Sequence, residues 1–184
     1  NENALIGYIE NNESYLFSFD VVVLGGSEGW KPSYTRVDDN FLSLFEIYRK
    51  QGGSILFIHD FNIAHKNKYG KIYEPFSSYL GYKGITFDLS LYRKCRFIPG
   101  KCDQLSKYPF VIKPEFSICE THETPIYDDQ YMIVESAESG KHHYYSENSE
   151  KRLGDCCIGH RNHITSDEKK LFFNIIYHLS QLPK

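Results

Sequence analysis

The chain lacks any apolar run of the ~18 residues that a membrane helix requires, so a membrane-embedded protein is not expected. It also lacks an excess of either charge. Its 21 Lys and Arg against 24 Asp and Glu leave a net charge of −3, and the basic residues are scattered along the chain. Neither nucleic acid nor an anionic bilayer is therefore an expected partner, although a local anion pocket stays open. Cysteine is present without a pattern. Cys95, Cys102, Cys119, Cys156 and Cys157 are odd in number and include an adjacent pair, which cannot easily bridge to itself. CxxC and paired Cys/His spacings of the zinc-finger kind are absent, so the reading is reduced thiols in an intracellular, cytoplasmic protein. The start, Asn1-Glu2-Asn3-Ala4, carries no initiator Met, no basic leader and no signal core. It reads as part of a longer chain. There is no internal repeat and no low-complexity tract. What remains is a globular composition with 41% hydrophobic and 16% aromatic residues among 184, enough for one well-filled core, so a single domain over 1–184 is expected.

Apolar periodicity supplies the elements. Phe19 to Leu24 is a β-branched run ending at Gly25-Gly26, the pattern of a strand buried on both faces of a parallel sheet. A possible earlier strand spans Ala4 to Ile9. Val37, Phe41, Phe45 and Tyr48 recur at helical spacing until Gly52-Gly53, and Ser54 to Ile58 is a second strand. The connection is long enough for a right-handed crossover. A short helix over Tyr73 to Leu80 and strands at Ile85 to Phe87, Tyr92 to Ile98, Phe116 to Cys119, Tyr131 to Glu135, His142 to Ser146 and Leu153 to Ile158 follow. Thr165 with Glu168 three residues on is a capping box, and Leu171, Phe172, Ile175, Ile176, Leu179 and Leu182 form one apolar face behind it, up to Pro183. The expected fold is α/β: an open, mostly parallel, doubly wound sheet with helices on both faces and an antiparallel patch late in the chain.

In such a sheet ligands bind beyond the carboxyl ends of the strands. The rule selects Gly25 to Trp30, His59 to Asn62, Gly159 to His163 and, after the strand at Phe116, Glu120 to Thr124. His59, His122 and His160 could share one mouth, with Asp60, Glu123 and His163 beside them. Neutral imidazoles near carboxylates could ligate zinc with an open position, or act as a general base near neutral pH. For each histidine alone a hydrogen-bonded structural role competes with this. His142 and His143 read as an exposed hairpin, and His178 as a partly buried helix residue. The glycine loop with Gly26 and Ser27 could cradle an anion, but it lacks the GxGxxG and Walker spacings and Glu28 would repel phosphate; a tight turn competes. Trp30 could stack on a sugar ring.

Strand, Gly25-Gly26, helix, Gly52-Gly53, Phe57-Ile58-His59, then Ile158-Gly159-His160 and a terminal helix near Glu168, together resemble the trehalose-utilisation (ThuA-like) branch of the class I glutamine amidotransferase-like superfamily. The resemblance runs from Phe19 to Leu182. It implies a flavodoxin-like fold whose usual opening strand would lie upstream, and a small carbohydrate derivative as substrate class. A class I amidotransferase carries a nucleophilic Cys on a glycine-flanked turn directly after the strand that here ends at Ile58. Here the stretch reads His59-Asp60-Phe61-Asn62, and Asn162 stands two residues beyond His160 where the family's acidic partner would be Glu. Glutaminase activity is therefore not expected, because amide acyl transfer needs that thiolate.

Two functions follow as expectations. One is a non-amidotransferase, pseudoenzyme-like domain that binds a small polar ligand or other protein chains within a larger protein or assembly. The alternative is an enzyme acting on a carbohydrate-like substrate. In that case His59, His160 and Asp60 would be catalytic, Gly26, Ser27, Trp30, His122, Glu123 and His163 would contact substrate, and His59, His122 and His160 would be the set for a zinc ion. The sequence leaves any cofactor unnamed.

Overall fold

Nine strands, three α-helices and three short 3-10 turns make up the part of the chain that the computed structural model describes: residues 12–25, 39–59, 76, 78–85, 91–121, 125–138, 142–159 and 163–183. Helix α1 is Glu13–Leu16 and strand β1 is Val21–Leu24. Helix α2, Asp39–Lys50, ends with Arg49 and Lys50 in its last turn, where cations suit the carbonyl end of the helix. Strand β2, Ser54–Ile58, follows and pairs in parallel with β1. The predicted strand–helix–strand unit is thus present. The predicted strand at 4–9 lies outside the described residues.

Strands β3 (Gly84–Ile85) and β6 (Pro125–Ile126) form a separate two-stranded ribbon. Strands β4 (Tyr92–Phe97), β5 (Glu115–Thr121), β7 (Met132–Ser136), β8 (His143–Asn148) and β9 (Leu153–Cys156) complete the main sheet. Its order is β1-β2-β9-β8-β7-β4-β5. Only β1·β2 and β2·β9 are parallel, while β9·β8, β8·β7, β7·β4 and β4·β5 are antiparallel. The expected mostly parallel, flavodoxin-like sheet is therefore corrected to a mixed, mostly antiparallel one. Connection length is the cause. The turn at Ser149–Lys151 joins β8 to β9 directly, and a parallel return needs a dozen or more residues.

Helices cover both faces. On one, helix α3 (Ser166–Ser180) sets Leu171, Ile175 and Leu179 against Leu56, Cys156, Tyr144, Val134, Cys95 and Phe116. On the other, Leu44, Phe45 and Tyr48 of α2 pack with Leu16, Ile55, Phe57, Phe76 and Tyr127. The predicted capping box is present: Thr165 Oγ1 accepts from Glu168 N at 3.1 Å, and Thr165 N donates to Glu168 Oε2 at 2.7 Å.

Two burial expectations change. Strand β1 is only partly buried and Val23 is 36% exposed, because it is the outermost described strand and β2 flanks it on one side alone. His142 and His143, read as an exposed hairpin, are buried. Strand β8 is interior, with β7 and β9 beside it, and all six of its residues are buried. Among the described residues no helix is long and apolar enough to cross a membrane.

Candidate functional site at the carboxyl ends of β1, β2 and β9

The three parallel strands end at one level, since Leu24 is in register with Phe57 and Ile58 with Cys156. Gly25 leaves β1, His59 leaves β2 and Gly159 stands just beyond β9. Gly25 has no room for a side chain: a Cβ there would lie 2.0 Å from Ile58 Cγ1. Glycine at this position lets the chain pass close over the end of β2, which favours the tight-turn reading of this loop.

His59 adopts a left-handed backbone, with φ 58°. A non-glycine residue is rarely held so, and the conformation costs about 1–3 kcal/mol that surrounding contacts must offset. They are present: His59 N donates to the carbonyls of Cys156 and Ile158, both at 3.1 Å. Gly159, at φ 108°, faces the ring, its Cβ position 3.8 Å from His59 Cβ and Cδ2. A side chain at this position would meet the imidazole at ordinary contact distance, so it is the positive φ that calls for glycine. His59 thus occupies the turn directly after β2, and the sequence His59-Asp60-Phe61-Asn62 carries no cysteine there. The thiols nearest in the sheet are Cys156, which is buried and pushed up by that burial, and Cys157, also buried, whose Sγ donates to His143 O at 3.2 Å.

The other predicted site residues divide. His163 is described; it is exposed and precedes α3, and its carbonyl accepts from Cys119 Sγ on β5 at 2.5 Å. That places its backbone against β5, the edge strand at the other end of the sheet order from β1. Gly26, Ser27, Trp30, Asp60, His122, Glu123 and His160 lie outside the described residues, so the proposed zinc set is described at His59 alone. Among the described residues no group of three or more His, Cys, Asp or Glu side chains could hold a metal ion. The strand leading toward His122, β5, ends at the sheet edge opposite β1.

Sequence reasoning missed a polar cluster next to the mouth. Asp155 on β9, one residue below the register pair Ile58 and Cys156, accepts from Tyr127 OH at 2.5 Å, and both residues are buried. His143 begins β8 with its Nδ1 2.9 Å from Ser146 Oγ and its Nε2 3.5 Å from Asp129 Oδ1. Burial holds the His143 ring below its ordinary value, while Asp129 works the other way. A neutral imidazole and a buried carboxylate therefore flank the parallel strand ends. The available signal was Asp155 itself: a carboxylate inside an apolar strand requires a donor.

No family model and no curated protein sequence matches this chain. Among solved structures it is similar to a protein of Bacteroides uniformis assigned as ThuA-like, with a TM-score of 0.66 and 12% identity. The likeness spans 91% of this chain and 71% of that one. At this identity it shows the fold alone: the chain has a ThuA-like α/β fold.

Proposed function

We propose that this chain is a non-amidotransferase ThuA-like domain serving as a binding module, with a small polar ligand taken at the carboxyl ends of β1, β2 and β9. The observation that carries the reading is the left-handed backbone of His59 at the end of β2. Strain of this kind is retained where a side chain must be aimed and where neighbouring contacts over-determine it. Gly25 lets the chain pass close over Ile58 at the end of β2, and Gly159 lies against the His59 ring. An imidazole without a thiol beside it can hydrogen-bond a hydroxyl or carboxylate but cannot form an acyl-enzyme. The ThuA-like fold favours a carbohydrate derivative as the ligand, and the wider module remains a candidate for protein contacts within a larger assembly.

The alternative reading, an enzyme on a carbohydrate-like substrate using His59, His122 and His160 with or without zinc, draws on the same residue. One experiment separates them. The native protein and His59→Gly are screened by saturation-transfer NMR against mono- and disaccharides, with product analysis of the same mixtures. A binding module gives contacts without product, and His59→Gly removes them. Its melting temperature is unchanged or raised, because glycine relieves the strain at about the entropy it adds to the unfolded chain. Product formation by the native protein would favour the enzyme, and saccharide contacts that survive in His59→Gly would overturn the assignment of this mouth.

A further inference from the structure

At the opposite end of the parallel strands, on the face covered by α3, three reactive groups meet. Glu147 on β8 is level with Gly154 near the start of β9. It accepts from His178 Nε2 at 2.8 Å, and from Tyr145 OH and Ser149 Oγ at 2.5 Å each. Cys102, the residue that opens the 3-10 turn Asp103–Ser106, places its Sγ 3.8 Å from Nε2 and 3.9 Å from Nδ1 of the same His178 ring. Nearly equal distances put the sulfur off the line of either N–H, so the pairing is of sulfur with a cationic ring and not an in-line proton relay. The Nδ1–H is left as the ring's donor on the side away from Glu147.

The other four thiols are placed differently. Cys95, Cys156 and Cys157 are buried, and burial pushes Cys95 and Cys156 up. Cys119 donates to a carbonyl, a bond that it would lose with its proton. Cys102 is partly exposed and faces the His178 ring, which its bond to the buried Glu147 favours in the charged form. Reactive cysteines sit in such electropositive, partly accessible surroundings.

We propose that Cys102, facing His178 and backed by Glu147, is a hydroperoxide-reactive thiol and the chain's site of reversible oxidation. The thiolate sulfur attacks the distal oxygen of the hydroperoxide; an S–O bond forms and the O–O bond breaks. The sulfur loses two electrons to the peroxide, and the leaving oxygen takes a proton from His178 Nδ1 or solvent and departs as water or an alcohol. Cys102 is left as a sulfenic acid, which a small thiol returns through a mixed disulfide.

The test exposes the native protein to limiting hydrogen peroxide at pH 7 with dimedone present, and locates the adduct by peptide mass mapping. Capture at Cys102 is expected at least tenfold faster than at Cys119, and His178→Gln should lower the Cys102 rate at least fivefold while Cys119 is unchanged. Capture at Cys119 first, or equal rates at the two, overturns the proposal in the native protein without any variant. An unchanged Cys102 rate in a His178→Gln protein that keeps its native circular dichroism overturns it as well.

Discussion

Glu147 has 1% of its side chain exposed, a setting in which an unpaired carboxylate is strongly disfavoured. Burial by itself would raise it, but the donors His178, Ser149 and Tyr145 outweigh that and hold it below the ordinary carboxylate range. Burial likewise works against a charged His178, yet the Cys102 sulfur beside the ring and the bond to Glu147 push it up to about 10. The two shifts fix a pH window. His178, raised above its unfolded value of ~6.5, contributes stability that is full below that pH and is lost as pH climbs toward its folded value. Glu147, lowered, contributes above its unfolded value of ~4.3 and loses that contribution as pH falls through its depressed value. Removing one partner of a buried pair costs about 3–5 kcal/mol. His178→Ala should therefore destabilise the protein by that amount at pH 6 in urea unfolding, with the gap to the native protein narrowing toward pH 10. A gap independent of pH would show that charge is not what the pair contributes.

Helix α3 begins with a cap that does more than close a helix. Glu168 Oε2 accepts from Thr165 N at 2.7 Å and from Cys119 N of β5 at 2.8 Å, and its Oε1 accepts from Tyr144 OH of β8 at 2.8 Å. Thr165 Oγ1 also donates to Ser117 O at 2.9 Å. Loss of an N-cap side chain costs about 0.5–2 kcal/mol, so Thr165→Ala should fall in that range by thermal or chemical unfolding. Glu168→Ala should cost more than Thr165→Ala, because each buried donor left without a partner adds about 1–3 kcal/mol. Equal losses would mean that the two strand contacts contribute nothing. The Thr165 and Glu168 spacing was legible in the sequence, as were β2 with His59 at its end, because an apolar run and a capping box are local patterns. The parallel β1–β2 pair and a late antiparallel patch were legible, but the patch was taken as smaller than it is: it extends from β9 through β8, β7 and β4 to β5. The roles of β8 residues were not legible either. His143, Glu147 and Asn148 look like solvent-facing residues in a sequence of histidine, tyrosine, serine and glutamate. Their partners are Ser146, three residues on in the same strand, His178 of α3 and the carbonyl of Tyr79.

Parallel and antiparallel parts of the sheet are joined by what crosses them. Helix α3 starts against β5 and β8 through Glu168, and it ends at β2, where Ser54 Oγ donates to Leu179 O at 2.8 Å. Arg152, in a left-handed turn before β9, donates to Gly53 O at 3.0 Å and to Leu182 O and Pro183 O at 3.1 and 2.8 Å, which ties the end of the chain to the start of β2. The apolar cluster under α3 likewise draws on Leu56 of β2, Cys156 of β9, Val134 of β7, Cys95 of β4 and Phe116 of β5. A cluster that spans both parts gives them a common fate, since opening either one exposes the apolar surface of the other. Ile175 is fully buried at its centre, and trimming it to Ala should remove about 2–5 kcal/mol. Under native-state hydrogen exchange the protection of β2 amides and of β4 amides should then fall by the same amount, with one unfolding transition by near- and by far-ultraviolet circular dichroism. If only β4 lost protection while β2 kept its native value, the parallel strands that carry His59 would be a unit able to hold the mouth without the antiparallel half. Equal loss would mean instead that the strained turn at His59 is supported by packing that reaches across the whole sheet to β5.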